Sequence, residues 1–285
     1  MARASRTTVS EPGIRLTLDY PPSAAPGPRW GYGRPAHAGL HAALAAHEPA
    51  YAAELDTIAG YAEELARIDA VAHDPIEPSW INGFLPGLDG AALYAFVRDR
   101  RPRRYLEVGS GNSTKFVARA KRDGDLGTTI TSIDPAPRAE VNALCDVVIR
   151  EPLETTSLDP FADLDPGDIV FFDGSHRAFM NSDVTVFFLD VLPSLPPGTL
   201  VGIHDIQLPD DYPAAWTDRH YSEQYLLACY LLAGSAWLKP RLAAWYVAAH
   251  TTLTACLDPL WRRPGMADVE RHGGAFWLEI TARPS

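Results

Sequence analysis

Cysteines are scarce in this sequence, and it has no long apolar run. Its three cysteines, Cys145, Cys229 and Cys256, are an odd number at wide spacing, which excludes a disulfide framework and a zinc site built from paired thiolates. The longest apolar stretch, residues 225–238, is shorter than the roughly 20 residues that a membrane-spanning helix needs. Residues 1–10 contain two arginines but are not followed by the apolar segment of a secretory signal. We therefore expect a cytoplasmic protein with no membrane partner.

Positive charge is also in short supply. Lysine and arginine total 25 against 36 aspartates and glutamates, which gives the 285-residue chain a net charge of −11. A chain of this charge is poorly matched to a polyphosphate, so nucleic acid is not an expected partner. Hydrophobic residues make up 46% and charged residues 21% of the chain, which is typical of globular proteins and excludes a disordered chain, a coiled coil or a collagen-like fibre.

The first third of the chain differs in composition from the rest. Six prolines fall within the first 40 residues, a density that favours an extended arm over a helix. Residues 40–70 then have apolar side chains near helical spacing, and residues 89–98 form another helical segment. We divide the chain into a proline-rich arm with a helical cap, residues 1–103, and a larger domain, residues 104–285. Whether the cap is a lid or the contact of a homo-oligomer stays open at this stage.

From residue 104 onward, short β-rich runs alternate with helical patterns, which is typical of βαβ units and a parallel sheet. The predicted strands are residues 105–108, 129–133, 146–149, 169–172, 200–203, 244–250 and 274–280. The predicted helices are residues 113–122, 138–144, 177–192 and 222–232. The pattern predicts an α/β fold with a Rossmann-like, mostly parallel sheet.

A glycine-rich turn containing Gly109 and Gly111 lies between the first predicted strand and the first helix that follows it. Such a turn lets backbone amides approach a nucleotide-like ligand, and the helix N-terminus points at that ligand. A dinucleotide fingerprint would have a third glycine where this chain has Thr114. Glu107, just before the turn, would repel a pyrophosphate but attract a cationic ligand. A turn that binds no ligand is the alternative interpretation.

Asp134 ends the second predicted strand. A carboxylate at that position can accept hydrogen bonds from both hydroxyls of a ribose. Taken alone, Asp134 could equally cap a helix that begins near Arg138. Because an acidic residue and a Gly-x-Gly turn lie upstream, we interpret Asp134 as a ribose ligand.

At these motifs the chain resembles the class I S-adenosylmethionine-dependent methyltransferases, whose first motif is an acidic residue followed by Gly-x-Gly, with a second acidic residue closing the next strand. The resemblance covers roughly residue 104 to the C-terminus, and it implies that the sheet ends in an antiparallel strand, here within residues 273–281. It also implies that Glu107 lies near the cationic methionine part of the cofactor and that Asp134 binds the ribose. The cofactor-binding residues predicted in this way are Glu107, Gly109, Ser110, Gly111, Asn112, Ser113, Asp134 and Asp173.

Four polar residues follow the fourth and fifth predicted strands. Asp173 and His176 come after the fourth strand, and His204 and Asp205 come after the fifth. Ligands of open α/β sheets bind outside the carboxyl ends of the strands. We therefore expect these four side chains to converge over the reactive side of the cofactor.

This second set of residues is similar to a subgroup of metal-dependent O-methyltransferases that act on sugars of macrolides and related natural products. The resemblance implies that Asp173 and Asp205 bind a divalent metal, with His204 in the position of a third ligand, and that His176 is the base that takes the proton of the acceptor. The subgroup has a carboxylate where this chain has His204, so the metal is left open among magnesium, manganese, iron and zinc. The alternative is that Asp205 caps a loop and no metal binds.

The predicted function is transfer of a methyl group from S-adenosylmethionine to a hydroxyl of a small-molecule acceptor, a natural product or a sugar, with divalent metal assistance and a histidine base. The loop of residues 208–219, with the nearby His220, either walls the acceptor pocket or is ordinary surface packing. Two other functions are retained as alternatives. One is an NAD(P)-dependent oxidoreductase of the Rossmann type, and the other is a non-catalytic protein that binds the same cofactor.

Overall fold

The computed structural model describes residues 27–282, so most of the predicted proline-rich arm lies outside the described residues. The strands are β1 (Arg104–Val108), β2 (Thr129–Ile133), β3 (Val147–Ile149), β4 (Ile169–Phe172), β5 (Leu200–Ile203), β6 (Leu238–Ala243) and β7 (Phe276–Ile280). The helices are α1 (Ala38–Ala45), α2 (Glu48–Gly60), α3 (Ala62–Leu65), α4 (Gly87–Arg100), α5 (Asn112–Asp123), α6 (Asp159–Ala162), α7 (Asp183–Val186), α8 (Glu223–Leu232), α9 (Ala244–Ala248), α10 (Thr251–Thr254) and α11 (Asp258–Trp261). No helix within these residues is both long and apolar enough to cross a membrane.

All seven strands form one sheet in the order β3-β2-β1-β4-β5-β7-β6. Strands β1 to β5 pair in parallel, and β7 pairs antiparallel with both β5 and β6. The predicted Rossmann-like, mostly parallel sheet with an antiparallel last strand is therefore confirmed. The strand order reverses between β1 and β4, and in open sheets of this kind the ligand crevice lies outside the carboxyl ends of the strands at that reversal.

The five parallel strands were predictable because each is a short run rich in apolar and β-branched residues, and four of the five are buried on both faces. Strands β1, β2, β4 and β5 are almost entirely buried. Strand β3, at the edge of the sheet, is partly exposed. The β-rich runs at residues 105–108, 129–133, 146–149, 169–172 and 200–203 all correspond to strands of the sheet.

The predicted strand at residues 244–250 is wrong, because this segment begins as helix α9 and the strand β6 immediately precedes it. Pro240 lies within β6. In the sequence alone, this proline argues against predicting a strand at residues 238–243. A proline is tolerated there because β6 is the edge strand of the sheet and one side of it needs no ladder partner. A register shift between Pro240 and Leu242 also interrupts the pairing with β7.

Two of the predicted helices also differ from the structure. Residues 138–144 form only a short 3₁₀ turn at Asn142–Leu144. Val141 is the only buried side chain of this segment, so the segment has no apolar face that could pack as a helix. The helix predicted at residues 177–192 starts only at Asp183, where the hydroxyl of Ser182 accepts a hydrogen bond from the Thr185 N–H and caps α7. It continues through a π-helical turn to residue 191.

The helical cap packs against the sheet domain within one continuous hydrophobic core. In α4, all residues from Gly87 to Val97 are buried. Its Phe96 ring lies edge-on against Trp277 of β7, with centroids 4.9 Å apart. Arg100, at the end of α4, forms an ion pair with Glu279 at 3.0 Å. Helix α4 is thus part of the layer that covers the antiparallel end of the sheet.

Candidate active site

The glycine-rich turn after β1 is pressed against the end of β4. Gly109 has a φ of +78°, a conformation that favours glycine, and its N–H donates to the Ile133 carbonyl at 2.9 Å. A Cβ at position 109 would lie 1.8 Å from the Asp173 carbonyl oxygen. A Cβ at Gly111 would instead meet nothing within 4 Å. The turn therefore needs glycine at position 109 for the fold, while position 111 faces open space.

A groove of about 230 Å³ runs beside this turn and the N-terminus of α5. Its lining includes four residues of the predicted cofactor motif, Ser110, Gly111, Asn112 and Ser113. The cap contributes Asn82, whose side-chain oxygen accepts a hydrogen bond from Asn112 at 3.1 Å. We call this the turn groove; part of its wall is supplied by residues that precede the sheet domain.

Glu107 lies beneath the turn and lines neither the turn groove nor the two larger cavities described below. Its side chain is fully buried. The carboxylate accepts hydrogen bonds from Tyr105 and Ser113, each at 3.1 Å, and also from Thr114. Burial raises the pKa of Glu107 to about 7, against the opposing effect of these hydroxyls. Glu107 thus ties β1 to the first turn of α5, and its contact with a cofactor stays a prediction.

Replacing Glu107 with glutamine is expected to flatten the pH dependence of stability. The buried carboxyl stabilises the fold fully below its ordinary pKa of 4.5, and this contribution is lost as the pH rises through about 7. Glutamine does not ionise, so between pH 4 and pH 9 the wild type should lose roughly 3 kcal/mol more unfolding free energy than the variant. Urea unfolding at a series of pH values measures this difference. The exposed Glu151→Gln is the control, and a wild-type pH dependence in Glu107→Gln would contradict the expectation.

Asp134, at the end of β2, is half-buried and contacts the same turn. Its carboxylate accepts the Ser110 N–H at 2.7 Å and the Ala136 N–H at 2.8 Å. No helix begins at residue 138, so Asp134 is not the cap of one. It lines a cavity of about 520 Å³ on the other side of the turn, here called the ribose cavity because it contains the predicted ribose ligand.

Asp134→Ala is expected to weaken binding of S-adenosylhomocysteine by about 1 to 3 kcal/mol, because hydrogen bonds to a charged carboxylate are lost. Asp134→Asn retains one acceptor oxygen and should have an intermediate affinity. Isothermal titration calorimetry gives both values, and thermal unfolding identifies any general loss of stability. Wild-type affinity in Asp134→Ala would disprove the ribose assignment.

Asp173, His176, His204 and Asp205 lie together outside the ends of β4 and β5. The Nε2 atom of His176 is 3.4 Å from Asp173 Oδ1 and 3.4 Å from Asp205 Oδ2. The Nδ1 atom of His204 is 3.3 Å from Asp173 Oδ1 and 3.7 Å from Asp205 Oδ1. The two carboxylates therefore face both imidazoles, as the positions of the strand ends predict. We refer to these four residues as the strand-end cluster.

The backbone at this cluster adopts conformations that non-glycine residues rarely show. His176 has a φ of +62° and Asp205 a φ of +56°, which costs free energy that the surrounding contacts must supply. The amide of Ser222, just before α8, donates to the His176 carbonyl at 2.8 Å, and Gly274 accepts the Ile206 N–H at 2.8 Å. These contacts fix the two loops in the positions that direct their side chains toward each other.

Two buried carboxylates that the sequence analysis missed complete the cluster. Glu223, the first residue of α8, is fully buried and its Oε1 lies 2.5 Å from His176 Nδ1. Asp89, in the first turn of α4, is also fully buried and its Oδ2 lies 3.3 Å from His204 Nε2. One ring nitrogen of each imidazole therefore contacts a buried carboxylate, Glu223 or Asp89. The other ring nitrogen faces the Asp173 and Asp205 pair.

The close carboxylates control the protonation of the two imidazoles. Burial would lower the pKa of His176, but Glu223, Asp205 and Asp173 raise it to about 9. Burial would also lower the pKa of His204, yet Asp173 and Asp205 raise it well above its usual value. Burial alone would raise the pKa of Asp173, whereas His204 and His176 hold it at about 2. Positive charge at this place is thus strongly favoured, and a divalent cation would supply it in place of the protons.

A third cavity, of about 490 Å³, opens in front of the strand-end cluster and is here called the acceptor cavity. Its aromatic lining comprises Phe84, Trp216, Tyr221 and Trp245. Of the loop residues considered from sequence, Trp216 lines this cavity, Tyr212 is buried beside it and His220 is exposed. The loop therefore contributes both a wall residue and packing residues.

The turn groove, the ribose cavity and the acceptor cavity adjoin one another. Asp173 and Arg138 line all three. Asp205 and His204 line only the acceptor cavity, whereas Asp134 lines only the ribose cavity. An extended ligand in the first two cavities would therefore meet a second molecule in the third at Asp173.

The fold and this site define a Rossmann-like α/β protein with three adjoining cavities. The strand-end cluster of histidines and carboxylates lies beside them. Residues 106–206 match the model of a family described as a methyltransferase domain. The matched region runs from β1 to the loop after β5, and it includes the glycine-rich turn and the whole strand-end cluster.

Three solved structures resemble the chain at 15–18% sequence identity. No curated protein matches the sequence. The O-methyltransferase TomG from Streptomyces achromogenes, solved with S-adenosylmethionine, is 18% identical over 68% of this chain and 79% of its own, with a TM-score of 0.38. An O-methyltransferase from Bacillus cereus, solved with S-adenosylhomocysteine, is 15% identical over 80% and 91% of the two chains, with a TM-score of 0.40. The methyltransferase PaMTH1 of Podospora anserina is 17% identical over 68% and 79%, with a TM-score of 0.35.

Proposed function

We propose that the protein transfers a methyl group from S-adenosylmethionine to a hydroxyl of a small acceptor molecule. The observation that carries the proposal is the meeting of three cavities at Asp173, two beside the glycine-rich turn and one in front of the strand-end cluster. The match of residues 106–206 to a methyltransferase domain supports the same reaction. Methyl transfer needs the acceptor oxygen held in line with the methyl group and relieved of its proton.

In this proposal the cofactor occupies the turn groove and the ribose cavity. Asp134 receives the ribose hydroxyls, and the methionine part lies beside the N-terminus of α5, where free backbone amides favour its carboxylate. The methyl group then faces Asp173, at the boundary with the acceptor cavity. The aromatic walls of the acceptor cavity suit a sugar ring or a planar natural product, since both present apolar faces together with hydroxyls.

The strand-end cluster is suited to a divalent metal. Asp173 and Asp205 supply carboxylate oxygens, and the imidazoles supply nitrogen. His204 Nδ1 is buried and has no hydrogen-bond partner among the described residues, so an imidazole nitrogen is unpaired beside the two carboxylates. A bound divalent metal lowers the pKa of an acceptor hydroxyl. The chain's own contribution is to hold the acceptor against Asp173 and Asp205 and to offer an imidazole nitrogen for its proton.

Two rival functions give different expectations. An NAD(P)-dependent oxidoreductase of the Rossmann type would bind a pyrophosphate at the turn, where Thr114 replaces the third glycine and binds Glu107 instead. A non-catalytic protein that binds S-adenosylmethionine would use the same two cavities without turnover. The strand-end cluster, which an idle binding protein does not need, favours catalysis over the second alternative.

Calorimetric titration of the purified full chain with S-adenosylhomocysteine and with NAD separates the cofactors. Binding of S-adenosylhomocysteine alone is the expected result, and preference for NAD would overturn the proposal. Transfer of a labelled methyl group to hydroxylated glycosides and phenols, assayed with manganese or magnesium, then tests catalysis. If the label is transferred to an amine but to none of the hydroxyl compounds, the proposal of transfer to oxygen is contradicted.

A further inference from the structure

We propose that His176, and not His204, completes the metal site with Asp173 and Asp205, and that Glu223 is the positioning residue that fixes His176 as a ligand. The inference rests on the proposed metal-assisted function and reverses the roles that the family resemblance implies for the two histidines. It follows from the way each imidazole is held, which the sequence does not reveal.

The ligand atoms of Asp173, His176 and Asp205 form one compact set. One atom from each of the three side chains lies within 4.8 Å of the other two. His176 Nε2 is 3.4 Å from an oxygen of each carboxylate. Two donor atoms that bind one ion at about 2.1 Å are separated by roughly 3.0 Å in an octahedral arrangement and roughly 3.4 Å in a tetrahedral one. Both nitrogen–oxygen separations at His176 already lie at the upper end of this range.

Glu223 controls which nitrogen of His176 faces the carboxylates. Its Oε1 lies 2.5 Å from Nδ1, and both side chains are buried. A carboxylate that accepts the Nδ1–H leaves the lone pair of an imidazole on Nε2, which is the arrangement seen around metal-bound histidines. The Nε2 atom is the one that faces Asp173 and Asp205.

The surroundings of the ring prevent His176 from turning away. The backbone carbonyl of His176 accepts the Ser222 N–H at 2.8 Å, which attaches its loop to the start of α8. The Tyr221 ring lies 4.3 Å from the imidazole, centroid to centroid. Loop, helix and aromatic ring together hold the nitrogen in place before any cation is present.

His204 stands on the other side of the carboxylate pair and lies outside the compact set. Its Nε2 faces Asp89 at 3.3 Å. Its Nδ1 lies 3.3 Å from Asp173 Oδ1 but 3.7 Å from the nearer Asp205 oxygen, and it has no hydrogen-bond partner among the described residues. Among the three cavities, His204 lines only the acceptor cavity, whereas His176 lines the acceptor and ribose cavities. His204 is then the imidazole that remains free of the metal and faces the acceptor.

The test measures binding of Mn²⁺ by isothermal titration calorimetry, on the full chain saturated with S-adenosylhomocysteine. His176→Gln should weaken Mn²⁺ binding at least 100-fold, and Glu223→Gln should weaken it by roughly 10-fold to 100-fold. His204→Gln should keep the wild-type affinity within about threefold. Asp168→Asn is the matched control, because Asp168 is buried and hydrogen-bonded at the opposite end of β4; it should bind Mn²⁺ as the wild type does.

Affinity for S-adenosylhomocysteine and the thermal unfolding midpoint, measured without metal, show whether each variant is folded. If His176→Gln is unfolded, Glu223→Gln and His204→Gln still decide the question by their relative Mn²⁺ affinities. A loss of Mn²⁺ binding in His204→Gln with retention in Glu223→Gln would overturn the inference. If the wild type binds S-adenosylhomocysteine but no Mn²⁺, the inference and the metal assistance both fail while methyl transfer stands. If it binds no S-adenosylhomocysteine, the proposed function itself fails.

Discussion

Asp205→Asn is expected to lower methyl transfer by roughly 1,000-fold or more, while affinity for S-adenosylhomocysteine stays within about threefold of the wild type. Asp205 lines the acceptor cavity and neither of the two cavities assigned to the cofactor. Its carboxylate faces both imidazoles. Asparagine preserves the volume but removes the charge that would hold a divalent cation in the proposed metal site, so the acceptor hydroxyl would keep its ordinary pKa. Turnover and calorimetry on the same preparation separate the two effects.

Two further variants make this result specific. Asp218→Asn removes an exposed carboxylate from the loop that follows the cluster, and it should leave turnover unchanged. Asp173→Asn should reduce both turnover and cofactor affinity, because Asp173 lines all three cavities. Substantial turnover by Asp205→Asn in excess chelator would show that neither the carboxylate nor a metal assists the reaction.

Gly109→Ala is expected to abolish binding of S-adenosylhomocysteine and to destabilise the fold. The added Cβ would lie 1.8 Å from the Asp173 carbonyl oxygen, so the turn and the end of β4 would have to separate. The φ of +78° adds a further cost for any residue with a side chain. We expect a loss of affinity of at least about 100-fold, which corresponds to roughly 2.7 kcal/mol. Calorimetry and thermal unfolding measure the two losses.

Gly111→Ala is the matched control two residues away. Its Cβ would enter open space, so the variant should unfold at the wild-type temperature. Any fall in its affinity for S-adenosylhomocysteine then reports contact with the cofactor and not damage to the turn. Equal stability and equal affinity for Gly109→Ala and the wild type would contradict the geometry of the turn.

The parallel strands were predictable from sequence because each is a short run rich in apolar and β-branched residues, a local signal that needs no partner to be recognised. The helix at residues 138–144 and the strand at residues 244–250 were wrong because their outcome depends on neighbours. The first has too little apolar surface to pack, and the second is displaced by an edge strand that contains Pro240. Local pattern does not encode which strand becomes an edge.

The strand-end cluster was predictable for a related reason. Its four residues directly follow β4 and β5, and adjacent parallel strands bring such positions together. Glu223 and Asp89 were not predictable, because they lie 47 and 115 positions from their histidine partners. Each occupies the first turn of a helix, where an acidic residue is ordinary, so their sequence context gives no signal of the contact.

Asp89 also determines when the site can form during synthesis. Besides His204, its carboxylate accepts the backbone amides of Gly274 at 2.7 Å and Ala275 at 3.0 Å. Those partners are made 185 and 186 residues after Asp89 itself. A chain leaving the ribosome in order therefore lacks two of these three partners of Asp89 until residues 274 and 275 emerge, and contacts of such long sequence separation form late in folding. Nascent chains that stop short of these residues would hold the glycine-rich turn but only one of the three contacts that fix Asp89 beside His204.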